Sequence, residues 1–258
     1  MSIELMCWYS SLTRLADQRP RPMSDRHLAE IRKLLELCSA SEQETLFREL
    51  RQRHTIHEFE QTIGAPAEMI LEAVHKAPEL TRRMLRGVIA DAAFRTFVVP
   101  AIEPQGWRDV TPEGNFAFDY IVEDARGRVS VQVMLQRSER GAPVRKPGAR
   151  YGFVGEVFMT ETQKSRTGTD GEGEKTRPYR YGEFDVLAVS MQPSTGKWDR
   201  YMYSVGRWLL PGKGENEIAT LQPVARLPDE FWTDDFVTVA TWLRTEDNGK
   251  RMGLPNLI

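Results

Sequence analysis

Residues Gly114 to Arg137, GNFAFDYIVEDARGRVSVQVMLQR, place the strongest constraint on how this chain folds. The stretch reads as two strands joined by a tight turn. Phe116, Phe118 and Ile121 give the first arm its apolar content, and Asp124-Ala-Arg-Gly127 supplies the turn. In the second arm Val129, Val131, Val133 and Leu135 alternate with Ser130, Gln132, Met134 and Gln136. That period of two sends successive side chains to opposite faces of a strand. Asp119 stands in the middle of the first apolar run, where a carboxylate is costly unless a cation meets it. Gln132 falls opposite in the hairpin register. An acid on one arm facing polar side chains on the other is a candidate site for a divalent metal.

A chain of 258 residues accommodates one large domain, or a smaller one with an appendage. Its 40% hydrophobic content suffices for a core. No apolar run approaches the roughly 18 residues that cross a bilayer, and the N-terminus lacks the basic-then-apolar order of a signal peptide. Cys7 and Cys38 form no metal-spacing motif and read as buried thiols in a cytoplasmic protein. The net charge of −2 conceals an asymmetry. Arg126 to Lys213 holds 16 Lys and Arg against 9 Asp and Glu, while the remainder carries 19 against 28. A basic face on an otherwise acidic molecule suits a polyanion, although a solvated charged surface has the same composition.

Residues 1–80 are expected to be helical, ahead of a second region over 81–258. Ser24 caps a predicted helix running through Leu37, with Leu28, Ile31, Leu34 and Leu35 at helical spacing. Ser41 and Glu44 have the form of a capping box for Glu42 to Arg53. A short helix (His57 to Ile63), a turn at Gly64-Ala65-Pro66 and a second helix (Ala67 to Lys76) resemble a helix-turn-helix. The second helix begins Pro-Ala-Glu-Met-Ile and is poor in the Arg, Asn and Gln that read base edges, so a structural helical hairpin fits equally well. His27, His54, His57 and His75 make no His-x-x-x-His pair, which argues against zinc.

A longer helix follows in LTRRMLRGVIADAAFRTFVVPAI, ending near Pro100, with Asp91 beside its apolar side. A helix bearing an acid, a hairpin with Asp119 on one arm, and Gln132-x-Met134 on the other resemble the PD-(D/E)XK nuclease fold of many restriction endonucleases. The resemblance covers roughly Leu85 to Leu210. It implies an α/β core, a central mixed sheet flanked by helices, with a helical N-terminal region. Residue by residue, Asp119 matches the principal metal aspartate, Gln132 the first position of the (D/E)-x-K pair, and Asp91 the helix acid. The lysine position falls on Met134, which cannot carry charge, orient a water or stabilise a phosphorane-like transition state. Three explanations stand: Met134 replaces a natural lysine and traps uncleaved DNA, the chain is a naturally inactive homologue that only binds, or a cation such as Lys146 or Lys164 fills the role.

The resemblance implies phosphodiester hydrolysis with Mg²⁺, which neutralises the phosphate and lowers the pKa of the attacking water. Mg²⁺ takes hard oxygen ligands and keeps several waters, so one or two carboxylates suffice. Asp119 is the expected anchor, Asp91 a direct or water-mediated ligand, and the amide oxygen of Gln132 a neutral third. Asp185, opening the apolar run Glu183 to Met191, is a second candidate for the metal aspartate.

Beyond the hairpin, Arg137 to Gly148 reads as a basic Gly/Pro-rich loop, and Gly155 to Ser165 as the helix that crosses the sheet. Glu183 to Met191 reads as a strand buried on both faces, Pro193-Ser-Thr-Gly as a turn, and Trp232 to Leu243 as a closing helix. The loop between helix and strand interleaves Arg166, Lys175, Arg177 and Arg180 with Tyr179 and Tyr181, as phosphate contact and base recognition require. Gln136, Arg137 and Lys164 join them as candidate DNA contacts. The implied activity is that of a sequence-specific, Mg²⁺-dependent double-strand DNA endonuclease of restriction type. It would be a homodimer, with a cognate DNA methyltransferase as partner. The alternatives are a non-catalytic DNA-binding protein on the same fold, and an interaction protein with an incidental acid.

Overall fold

A computed structural model describes residues 25–54, 57–114, 116–164, 178–245 and 249–253. The chain divides into two units, one ending at Lys76 and the other running from Ala77. In the first, four helices follow one another among the described residues: α1 (Asp25–Leu37), α2 (Ala40–Arg53), α3 (Phe59–Ile63) and α4 (Ala67–Lys76). The capping box of α2 is formed by Ser39 and Glu42, two residues before the expected pair. Ser39 has the extended backbone an N-cap needs, whereas Ser41 and Glu44 lie inside the helix, where Glu44 pairs with Arg48. Gly64 ends α3 at φ 70°, a left-handed conformation that glycine adopts without a Cβ penalty. Cys38 is a partly buried free thiol, while Cys7 and Ser24 lie outside the described residues.

The second unit opens with α5 (Glu79–Ala93), which passes through a π-helical turn (Phe94–Val98) into α6 (Val99–Ile102). Its ten strands are β1 (Arg108–Asp109), β2 (Tyr120–Asp124), β3 (Gly127–Leu135), β4 (Ser138–Glu139), β5 (Ala142–Pro143), β6 (Arg145–Pro147), β7 (Glu156–Glu161), β8 (Val186–Ser190), β9 (Tyr201–Val205) and β10 (Leu221–Val224). A short helix α7 (Gln192–Thr195) stands between β8 and β9 where a turn is expected, and α8 (Phe236–Thr245) follows β10. The central sheet has the order β1-β2-β3-β8-β9, with β3 and β8 parallel and every other neighbour antiparallel. This is a mixed α/β architecture. A second sheet, β10-β7-β6, is antiparallel, and β4 and β5 form a small ladder within the expected basic loop.

Both faces of the central sheet are covered. Val129, Val131 and Val133 share one apolar cluster with Val186, Ala188, Phe94 and the α8 side chains Phe236, Val239 and Ala240. The intervening β8 residues Leu187 and Val189 enter a second cluster with Val157, Met159, Leu209 and Trp232. The alternation of β8 between the two clusters explains its near-continuous apolar sequence. Trp208 and Trp232 are fully buried, one in each cluster.

Two expectations are corrected here. The first hairpin strand begins at Tyr120, so Phe116 and Phe118 precede it and stack on one another with ring centres 5.2 Å apart. The ladder stops because Val133 N–H donates to the Asp119 side chain rather than to a main-chain carbonyl. Second, the stretch from Gly155 expected to form the crossing helix is the strand β7. Val157, Phe158 and Thr160 favour extended backbone, and four consecutive buried residues leave no polar face of the kind a surface helix presents. Among the described residues, the connection between the parallel strands β3 and β8 passes through the second sheet.

Candidate functional site

Antiparallel pairing carries Tyr120 opposite Val131, so one step further along the register Asp119 faces Gln132. Asp119 N–H donates to Val131 O at 3.0 Å and fixes the backbone at that step. One carboxylate oxygen, Oδ2, accepts both Gln132 Nε2 at 2.5 Å and Val133 N–H at 2.8 Å. No hydrogen bond reaches Oδ1 among the described residues. Burial pushes the Asp119 carboxyl up to about 6, the Val133 N–H opposes the shift, and the negative charge of Asp91 adds to it. Asp91 is thus near enough for its charge to be felt at Asp119, with burial the larger cause.

Asp91 lies at the C-terminal end of α5, three residues before the π turn. Two tyrosine hydroxyls hold this part of the helix to the sheet. Tyr120 donates to Asp91 O at 2.9 Å from β2, and Tyr201 donates to Ala90 O at 2.7 Å from β9. The Phe94 ring sits 4.9 Å from Tyr120 and 5.6 Å from Tyr201. Asp91 Oδ1 is buried and has no hydrogen-bond partner among the described residues. Burial raises its carboxyl, while the Tyr120 hydroxyl and Arg95 temper the rise. π turns relieve one intrahelical hydrogen bond and recur at functional positions.

These donors fit a hard divalent cation. Among the described residues no three His, Cys, Asp or Glu side chains gather around one metal position. Two carboxylates with an unbonded oxygen each, an amide and water nonetheless satisfy Mg²⁺. Gln132 presents its amide nitrogen to Asp119, and the nitrogen also lies 3.2 Å from Val133 O. To offer oxygen to a metal bound by Asp119, the amide would turn about its last torsion and give up that hydrogen bond.

The other sequence candidates are dispersed. Met134 follows Gln132 on the same strand face and packs, half-buried, against the second apolar cluster. Lys164 Nζ is bound to Glu183 at 2.5 Å and lies 5.3 Å from the Tyr179 ring centre. Burial and the charges of Asp119 and Glu183 raise the Tyr179 hydroxyl, so Lys164 stands one aromatic side chain away from the acid pair. Lys146 is exposed on β6. Arg180 N–H donates to Glu183 Oε2. Gln136 and Arg137 lie at the end of β3, in a separate cavity. Arg166, Lys175 and Arg177 lie outside the described residues. Asp185 is engaged elsewhere, because its Oδ2 accepts Ser130 N–H at 2.8 Å and Ser130 Oγ at 2.7 Å.

Tyr120 and Tyr179 belong to this neighbourhood; Tyr120 went unread in the sequence, and Tyr179 was read only as part of the basic loop. Tyr120 adjoins Asp119, so the signal was available, whereas Tyr179 reaches the site only through tertiary packing. A surface cleft of about 710 Å³, lined by Gly152–Val157 and Ala225–Phe231, shares no residue with the site. Its Asp229 carboxylate already accepts Phe231 and Trp232 N–H groups. Among the described residues no helix is long and apolar enough to cross a membrane.

No family model matches the chain, and no curated protein matches it. A search of solved structures returns the bacterial homing endonuclease I-Ssp6803I, with a TM-score of 0.37 and 18% identity, covering 64% of this chain and 97% of that one. A TM-score of that size does not by itself relate two folds.

Proposed function

We propose that this chain is built as a metal-dependent DNA endonuclease of restriction type on a PD-(D/E)XK-like core. The observation that carries the reading is the acid pair: the buried, unpartnered Asp91 Oδ1 beside an Asp119 carboxyl pushed to about 6. Two carboxylates raised by burial, each with an oxygen unbonded among the described residues, destabilise the apoprotein and gain from a cation. Asp119 and Asp91 would hold Mg²⁺, with Gln132 as the neutral third donor. The metal supplies charge neutralisation at the phosphate and a more acidic water. Tyr120 and Tyr201 set the position of Asp91, and Val133 N–H sets the rotamer of Asp119. Double-stranded DNA is the substrate on this reading, a homodimer the cutting unit, and a methyltransferase its protective partner.

Met134 supports a second reading, a DNA-binding protein without hydrolysis. A methionine packed into the apolar cluster stands where the resemblance places lysine, and the nearby Lys164 is tied to Glu183. One experiment separates the two: incubation of plasmid DNA with Mg²⁺ and either this chain or Met134→Lys. Discrete fragments from either form establish the nuclease architecture, and from Met134→Lys alone they identify the disabling residue. Bound but intact DNA in both cases overturns the nuclease reading and leaves the binding protein.

A further inference from the structure

Where β3 ends, Gln136 N–H still bonds Ser190 O of β8, while the residue already bridges to Thr160 of β7. The strand thus leaves one sheet for the other, and a cavity of about 130 Å³ opens beside it. Arg83 and Arg86 of α5, Leu135 at the end of β3, Gln136 and Arg137 just after it, Ser138 of β4, and Glu161 of β7 line it. Gln136 is only 1% exposed, yet among the described residues neither its Nε2 nor its Oε1 has a hydrogen-bond partner. Arg137 Nε is likewise buried and unpartnered among the described residues. Orphaned buried polar groups are destabilising unless a ligand or water takes them.

The charge of the cavity indicates what fits. Arg137 is neutralised by Glu139 and Glu161, at 2.8 and 2.7 Å. Arg86 meets Glu79 only at 3.7 Å, and Arg83 has no carboxylate partner among the described residues. Positive charge is left over, together with the Gln136 amide donors and the Ser138 hydroxyl. No aromatic side chain lines the cavity, so a stacked base has no platform. An oxyanion ringed by N–H and O–H donors matches this lining.

Position adds a second argument. Gln136 lies four residues beyond Gln132, roughly 13 Å along a strand. Arg86 lies five residues before Asp91, roughly 7 Å along a helix. The strand and the helix both lead from the acid pair to the cavity. That separation spans a few nucleotide steps of about 3.4 Å rise.

Resting on the DNA reading above, we infer that the Arg83–Arg86–Gln136–Arg137 cavity seats a backbone phosphate of the nucleic acid, a few nucleotides from the bond that is cut. Two measurements on the full chain test it. The first is affinity for a mixed-sequence duplex, without divalent metal, across a salt series. The Arg83→Ala/Arg86→Ala double variant is expected to weaken binding and flatten the log–log salt slope by about one to two. Gln136→Leu is expected to weaken binding several-fold with less change in slope. Unchanged affinity and slope in the double variant, with wild-type still binding, overturn the inference while the nuclease reading stands. The second measurement is thermal unfolding with inorganic phosphate against chloride at matched ionic strength. Stabilisation by phosphate in wild-type, lost in the arginine double variant, supports the anion seat; with no duplex bound, its assignment to nucleic acid is overturned together with the DNA reading. Equal melting in phosphate and chloride, with no duplex bound, overturns both.

Discussion

Asp119 Oδ2 accepts the Gln132 amide at 2.5 Å and the Val133 N–H at 2.8 Å, so a single carboxylate oxygen takes both protein donors. The other oxygen contributes charge but no hydrogen bond among the described residues. Asparagine reproduces the bonded oxygen and removes the charge. In the folded chain the Asp119 carboxyl is raised from 3.8 to about 6. The native state therefore holds its proton more tightly than the unfolded state. Stability from this group is complete below about pH 4, declines as pH rises to about 6, and is level above. Asp119→Asn is expected to abolish that decline and raise stability at pH 7.5 by about 2 kcal/mol, allowing for partial exposure. Urea unfolding midpoints from pH 4 to 8 measure it, and an equal or lower midpoint for the variant at pH 7.5 contradicts the account.

The same buried carboxylate charge predicts metal linkage without reference to DNA. Adding Mg²⁺ or Mn²⁺ at pH 7.5 is expected to raise the melting temperature, by the equivalent of about 2.7 kcal/mol at a hundredfold excess over Kd. The effect should vanish in Asp91→Asn and in Asp119→Asn, and should shrink below pH 6 as protons compete for Asp119. Calorimetry with Mg²⁺ gives the same answer as a binding enthalpy. Metal stabilisation that survives both substitutions would place the ion elsewhere.

The hairpin was legible because its signals are local. Period-two alternation, the Asp124-to-Gly127 turn and the register that sets Asp119 against Gln132 all lie within two dozen residues. β8 was legible for the same reason, since one apolar run serves both faces of the sheet. β7 was misread: a short apolar run does not distinguish a strand from a buried helix by periodicity, and a parallel connection suggested a helical crossover. The Asp119 strand was read too long because a side chain, not a turn residue, ends its ladder. The cavity at Gln136 could not be read at all, because Arg83 and Gln136 are distant in sequence and meet only when α5 packs on β3.

Placement of Asp91 depends on two hydroxyls whose removal is separable from chemistry. Tyr201→Phe leaves the buried Ala90 carbonyl without its 2.7 Å donor, and Tyr120→Phe does the same to Asp91 O. Each is expected to cost about 1–2 kcal/mol by unfolding measurements, the larger value at the more enclosed Tyr201. Tyr120→Phe should also raise the Asp91 carboxyl further, since the hydroxyl now tempers it. Weaker Mg²⁺ binding at pH 6 than at pH 8 should therefore be more pronounced in Tyr120→Phe than in wild-type. Identical pH profiles would confine Tyr120 to a packing role.

The last prediction concerns the clasp at the far end of the hairpin. Arg244 of α8 donates from two nitrogens to the two oxygens of Asp124, at 2.8 and 2.7 Å, and reaches Gly127 O at 3.2 Å. Both side chains are largely shielded, with 18% and 11% exposure. The guanidinium, together with the Arg126 N–H, holds the Asp124 carboxyl down at about 2. The folded value lies below the unfolded one, so the clasp contributes above about pH 4 and its contribution is lost as pH falls through about 2. Arg244→Met keeps much of the stem that packs over Trp107 but removes the fork. A loss of about 1–2 kcal/mol at pH 7, narrowing toward pH 2.5, is expected from urea unfolding. Because the clasp sits at the turn while Asp119 sits at the open end of the hairpin, Mg²⁺ affinity should be unchanged in the folded variant. A matching loss of Mg²⁺ affinity would mean that the turn and the acid pair are mechanically coupled through β2 and β3.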